Sequence, residues 1–512
     1  MGQSRYTPCM IPSSYPSFVA RLEESANLIS ALGVLHWDQE VFMPPKGVAR
    51  RAKLIGQLTA LAHHQFTQLD RGGQLSALRR WSEKHPNTKE AAVIREVWRA
   101  YQREKKLPAP FVRELSELTS TAQTAWARAK GESSFRAFAP YLKRIVELKK
   151  KEAEYVGYAE SPYDALLDAY EPDLTSAQVS PVFNELRGFL TGFLKRIRAS
   201  ARRPEPWKKF HGSFPIERQR EFNLFVAGKM GFDLEAGRMD VSSHPFTTQF
   251  HAEDVRITTR YREHDLFYSL GSTIHEVGHA LYEQGLPAEH FGTPLGEALS
   301  LGIHESQSRV WENNIGKGRP FWQFFYPKLR KAFPRPFGSV PFETFYRSLN
   351  RVEPSLIRTE ADEVTYNLHI ILRFEIEKAL IEGSLAVKDV REAWNEKMKA
   401  YLGIRVPNDA QGVLQDVHWS GGMIGYFPTY TLGNLYAAQF YRAAKKKMPS
   451  LETQFKKGNF TPMREWLRTN IHAHGKFYSA DRLVRRITGE PLKSKYFIEH
   501  LQKKYGEIYN LK

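Results

Sequence analysis

The sequence predicts a mostly α-helical protein with one small β-sheet. Three observations carry this. Apolar residues recur at helical spacing through most of the chain, a single stretch at 254–260 alternates with period two, and no internal repeat or low-complexity linker divides the 512 residues. Hydrophobic residues make up 42% and aromatic residues 13%, enough for a large core and too much for wholesale disorder. We expect a single unit over residues 1–512, with room for two lobes.

Residues 15–61 read as amphipathic helices broken at Met43-Pro44-Pro45-Lys46-Gly47, which is turn chemistry. Helical patterns follow through 91–101, 110–131 and 135–155, while 161–162, 202–215 and 316–341 read as loops. In the strand, Val255, Ile257 and Thr259 share one face; Asp254, Arg256, Thr258 and Arg260 share the other. A small sheet between 239 and 261 therefore precedes the most informative segment.

The net charge is +18, from 74 Lys and Arg against 56 Asp and Glu. The basic residues fall in short scattered clusters at 202–203, 208–209, 328–331, 445–447 and 485–486, without interleaved aromatics. That pattern predicts a solvated basic surface and no specific nucleic-acid partner. A lone cysteine, Cys9, excludes a disulfide framework and a thiolate-rich zinc site, and points to the cytoplasm. No apolar run approaches the roughly 18 residues of a membrane span. The N-terminus lacks the pattern of a secretory leader, and Tyr6 stands where myristoylation of Gly2 needs Ser or Thr.

His275-Glu276-Val277-Gly278-His279 is an H-E-x-x-H sequence. Spacing of four stacks both imidazoles on one helix face, where they converge on one metal ion. Glu276 lies beside that face, placed to take a proton from the water a zinc ion activates. Ser272 and Thr273 offer helix caps upstream, and Gly285 with Pro287 ends the pattern. A catalytic zinc site needs a third protein ligand and an open position. Glu305 is the candidate, on a helical stretch at 295–314 that also holds Glu297 and Glu312 as competitors. Zinc is the expected ion, with cobalt or another divalent ion able to substitute. Two other readings stay open on these residues. One is a groove-type endopeptidase with the same zinc chemistry; the other is a basic nucleic-acid-binding helical protein with a chance motif.

The motifs together resemble the carboxypeptidase-Taq family of metallocarboxypeptidases. In order they are Leu35-His36-Trp37-Asp38-Gln39 with Met43-Pro44, His244-Pro245-Phe246, Asp254-Val255-Arg256-Ile257-Thr258, the H-E-x-x-H, and His304-Glu305-Ser306-Gln307. Ile357-Arg358-Thr359-Glu360-Ala361-Asp362 and Gly412-Val413-Leu414-Gln415-Asp416-Val417-His418-Trp419 complete the set. The resemblance implies a two-lobed helical fold with a deep groove and a small sheet beside the zinc, similar to neurolysin-like enzymes. It implies a homodimer, His275, His279 and Glu305 as zinc ligands, and Glu276 as general base. The substrates would be peptides with a free C-terminus. Their carboxylate needs a bidentate partner that never loses its charge, so Arg358 and Arg256 are the candidates. Arg358 precedes a helical stretch at 362–381. His244 and His418 are candidates for substrate backbone contacts or oxyanion stabilisation, with Tyr430 as a phenolic donor. Asp416 is expected to orient His418.

Overall fold

Proline has no amide hydrogen to give a helix interior, and the chain obeys this at its first break. Helices Tyr15–Val41 and Val48–Thr67 are separated by a 3₁₀ turn at Pro45–Gly47. The structure, a computed structural model, describes residues 10–206 and 212–511. Gly2, Tyr6, Cys9 and Lys208–Lys209, discussed above, lie outside them. The next helices, Lys89–Lys106, Ala109–Gly131 and Phe135–Val156, follow the sequence pattern with no end shifted by more than five residues. Thr88 caps the first of them by accepting from the Ala91 amide.

Three local expectations are corrected. Residues 316–341 are not a loop: they contain the helix Arg319–Ala332, with Pro320 in the first turn where its missing amide costs nothing. Burial of Phe321, Trp322, Phe325 and Leu329 outweighs the unfavourable Pro327. Residues 295–314 are not one helix either. A 3₁₀ turn at Pro294–Gly296 gives way to an α-helix at Leu301–Arg309, which continues as a π-helix at Val310–Gly316. Ser300 caps the α-helix from the Ile303 amide. The helix bearing the H-E-x-x-H runs Leu266–Glu283, so it starts well before Ser272 and Thr273. Asp265 is its cap, accepting from the Tyr268 amide.

The sheet has three strands in the order β1 (Gly237–Val241), β3 (Asp254–Thr259), β2 (Thr247–His251). β1 runs parallel to β3, and β2 antiparallel with Thr247 opposite Ile257 and Thr248 opposite Arg256. Val255 and Ile257 are fully buried on the side of the Leu266–Glu283 helix, each contributing about 1.5–3 kcal/mol.

Apolar side chains collect in two clusters. The larger spans 122–509 and surrounds the Leu266–Glu283, Leu301–Arg309 and Pro428–Lys447 helices. The smaller is built from the first helices around Phe18, Leu75 and Ile94, and reaches across to Leu295. Among the described residues, no helix is long and apolar enough to cross a membrane.

Candidate metal centre and active site

Close helix packing brings the chemistry together. A Cβ on Gly278 would sit 2.6 Å from the Ser308 Cα, and one on Gly433 would sit 2.5 Å from the Glu305 Cγ. Only glycine lets the Leu301–Arg309 helix lie this tightly between its two neighbours. Glu305 Oε2 then faces both imidazoles, 3.3 Å from His279 Nε2 and 3.7 Å from His275 Nε2. One ligand atom from each of the three lies within 4.8 Å of the others. Donors at 2.0–2.1 Å from a tetrahedral ion stand about 3.3 Å apart, so this set fits a divalent metal.

The competitors of Glu305 do other work. Glu297 is exposed and pairs with Lys476. Glu312, carried on the π-helix, accepts from His275 Nδ1 at 2.8 Å. That bond turns the Nε2 lone pair of His275 toward Glu305. Among the described residues His279 Nδ1 has no partner. Its ring instead stacks on His304, 4.4 Å between centroids, and His304 Nε2 sits 2.6 Å from Glu283 Oε1.

Electrostatics favour an ionised carboxylate here. Burial pushes the Glu305 carboxyl up, but Arg309 and His275 outweigh it and hold it well below the carboxylate range. Burial drives His279 down to about 3, leaving the neutral ring a metal requires. Burial acts the same way on His275, yet Glu305 and Glu312 reverse it and raise the proton affinity. A cation competes with that proton for the same carboxylates.

Glu276 is buried beside the three. Burial raises its carboxyl above the usual range, against the pull of His275 and Thr247. Thr247 Oγ1, on β2, lies 2.6 Å from Glu276 Oε2 and 3.1 Å from the Glu276 carbonyl. Thr247→Val removes this donor while keeping the shape. We expect about tenfold lower kcat with KM nearly unchanged, the effect of one hydrogen bond to a charged group. Unchanged steady-state kinetics would show that Thr247 does not hold Glu276.

Arg358 and Arg256 part company. Arg358 is buried, with Nε and Nη2 donating to Asp416 Oδ1 at 3.1 and 2.9 Å and Nη1 donating to the Tyr366 hydroxyl at 3.1 Å. Arg373, wholly buried, takes Asp416 Oδ2 at 2.6 and 2.8 Å. Two guanidiniums thus share one carboxylate, leaving a unit of positive charge. Of the five N–H groups on Arg358, one on each terminal nitrogen is left over, a fork matching a second carboxylate. Arg256 lies on the β3 face opposite Thr247. It pairs with Asp254 and stacks between Trp37 at 4.2 Å and Phe250 at 4.8 Å.

Asp416 does not orient His418. Its oxygens are taken by the arginines, and His418 Nδ1 lies 4.0 Å away, beyond a hydrogen bond. His418 Nε2 is instead 3.3 Å from the Tyr430 hydroxyl, and burial holds the imidazole down at about 4, hence neutral. The Tyr430 ring lies 4.9 Å from the Arg358 guanidinium, and burial keeps its phenol protonated. His244 is exposed in the β1–β2 loop, where its carbonyl accepts from Ser242 Oγ at 2.5 Å.

A cavity of about 1440 Å³ opens between the two apolar clusters. Leu22, Ile29, His63 and Phe66 from the first two helices line one wall, while Glu283 and His304, the latter stacked on His279, line another. Tyr170, also on this lining, packs edge-on against Tyr426, whose ring contacts Tyr430, the neighbour of Arg358. Sequence reasoning missed Thr247, Arg309, Tyr366, Arg373 and the His304–Glu283 pair. Only Arg309 carried a readable signal, four residues past Glu305 on one helix face.

Residues 17–505 match the family model of the carboxypeptidase Taq (M32) metallopeptidases. Thermostable carboxypeptidase 1 of Thermus thermophilus is 44% identical over 508 residues, covering 97% of this chain and 99% of its own. Carboxypeptidase 1 of Bacillus subtilis is 40% identical over 496 residues, covering 96% and 98%. A solved Pyrococcus furiosus carboxypeptidase structure superposes with a TM-score of 0.92 at 38% identity, covering 97% of this chain and 100% of that one. Matched over nearly its whole length by the family model and by these relatives, the chain belongs to the carboxypeptidase Taq (M32) family of metallopeptidases.

Proposed function

We propose that this metallocarboxypeptidase holds zinc on His275, His279 and Glu305, uses Glu276 as general base, and grips the substrate's terminal carboxylate with Arg358. The supporting observation is the unbalanced Arg358–Asp416–Arg373 group beside the triad. Its surplus charge and spare N–H fork match a free C-terminus, and an amide would satisfy neither. Arg256, stacked on Trp37, braces the contact between β3 and the first helix.

When bound, the divalent ion supplies Lewis-acid polarisation of the scissile carbonyl and acidifies a water molecule. The residues of this chain do the rest. Thr247 orients Glu276, which takes the proton of the attacking water and returns it to the leaving amine. In this reading the Tyr430 phenol, 3.3 Å from the neutral His418, donates with it to the developing oxyanion. The exposed His244 contacts the peptide backbone. The peptide runs through the cavity between the two clusters, which act as two lobes. Cytoplasmic location and a homodimer belong to the same proposal; size-exclusion chromatography with light scattering tests the second.

Peptides with blocked N-termini, each as free acid and as C-terminal amide, test the reading. Wild-type enzyme should release single residues from the acids and cleave the amides poorly. Arg358→Ala should cut kcat/KM on free acids about ten- to a hundred-fold, the worth of a charge-assisted bond kept in the transition state. Its effect on amides should be much smaller, and Arg256→Ala should not discriminate between them. Equal cleavage of acids and amides by wild-type enzyme, with internal fragments, would favour an endopeptidase.

A further inference from the structure

Arg309, its side chain 11% exposed, sits one turn after Glu305, and its guanidinium serves two carboxylates. Nε donates to Glu305 Oε1 at 2.6 Å and Nη1 to Glu312 Oε2 at 3.0 Å. Glu305 Oε1 is thereby occupied. Only Oε2 faces the imidazoles, steadied by Ser308 Oγ at 3.1 Å. On its other side the Arg309 guanidinium lies 4.5 Å from the Tyr366 ring centroid, and Tyr366 in turn accepts from Arg358.

We infer that Arg309 is a positioning residue that restricts Glu305 to single-oxygen donation and balances the charge of Glu305 and Glu312. The inference rests on the reading of His275, His279 and Glu305 as the metal triad. A carboxylate with both oxygens free can chelate and fill the position that water and substrate need. Two buried carboxylates without their shared cation are also costly to keep ionised. Lysine cannot substitute fully, because a point donor cannot span two carboxylates as the planar fork does. Through Tyr366, Arg309 also ties the geometry of Glu305 to the arginine proposed to hold the substrate.

The test uses full-length Arg309→Met and Arg309→Lys loaded with Co²⁺, reading the visible d–d absorption together with kcat and KM, with His279→Ala in parallel. A carboxylate released to chelate raises the coordination number, and the d–d band of the ion weakens as it does. Arg309→Met should bind Co²⁺ with a weaker band and about ten- to a hundred-fold lower kcat, at nearly constant KM. Arg309→Lys should fall between Met and wild type. If Arg309→Met does not fold by circular dichroism, the lysine variant decides alone. A wild-type band and wild-type kcat in the folded variants would overturn the inference. Retention of Co²⁺ at wild-type affinity by His279→Ala would instead overturn the reading of the triad.

Discussion

Glu276→Gln is expected to retain bound zinc and lose about 10²–10⁴-fold in kcat. Glutamine fills the same volume and can still accept from Thr247 Oγ1, 2.6 Å away in the native site, so folding and metal binding should survive. What it cannot do is carry a proton. Its neighbours His275 and His279 keep their own support, Glu312 for one and the stacked His304 for the other. Burial already lifts the Glu276 carboxyl above the usual range, the direction a general base working near neutral pH requires. Metal analysis beside a turnover assay separates the outcomes. Near wild-type turnover would remove Glu276 from proton transfer, and loss of zinc with the charge would make it part of the metal site.

Much of this arrangement was legible from residue spacing, and the limits were physical. The four-residue spacing of His275 and His279 fixes a shared helix face whatever surrounds it. The period-two pattern of β3 likewise set Arg256 on the face opposite Ile257. Spacing does not say which strand face meets the metal helix. That depends on Val255 and Ile257 packing against Leu266–Glu283. Residues 305, 309 and 312 fall on one side of an ideal helix, so sequence treats Glu305 and Glu312 as equivalent. The switch to a π-helix at Val310 separates them, sending one carboxylate to Nε2 and the other to Nδ1 of His275. Such a wide turn has no sequence signature comparable to a cap, and it recurs at functional sites. The helix Arg319–Ala332 was hidden for another reason. The Pro and Gly content of residues 316–341 reads as loop chemistry, while the aromatic face of this helix is stable only once the larger cluster exists to receive it.

The three glutamates of residues 295–314 should therefore separate sharply in zinc affinity. Glu305→Ala removes one of three protein donors, and the water that replaces it cannot restore a fixed negative charge. It also leaves Arg309 as a buried cation with only Glu312 for company, which repels the ion further. Glu312→Ala keeps all three donors but frees the His275 ring to turn, a loss of about 10–100-fold for an orienting partner. Glu297→Ala breaks only a surface pair with Lys476, worth about 0–1 kcal/mol of stability and nothing in metal binding. Competition against a chelator of known affinity ranks the three. Glu305→Ala should weaken zinc by more than Glu312→Ala, and Glu297→Ala should match wild type. Were Glu312→Ala the weakest binder instead, the roles of the two carboxylates on His275 would have to be exchanged. The ion would then lie on the Nδ1 side of that ring, away from His279 and Glu276.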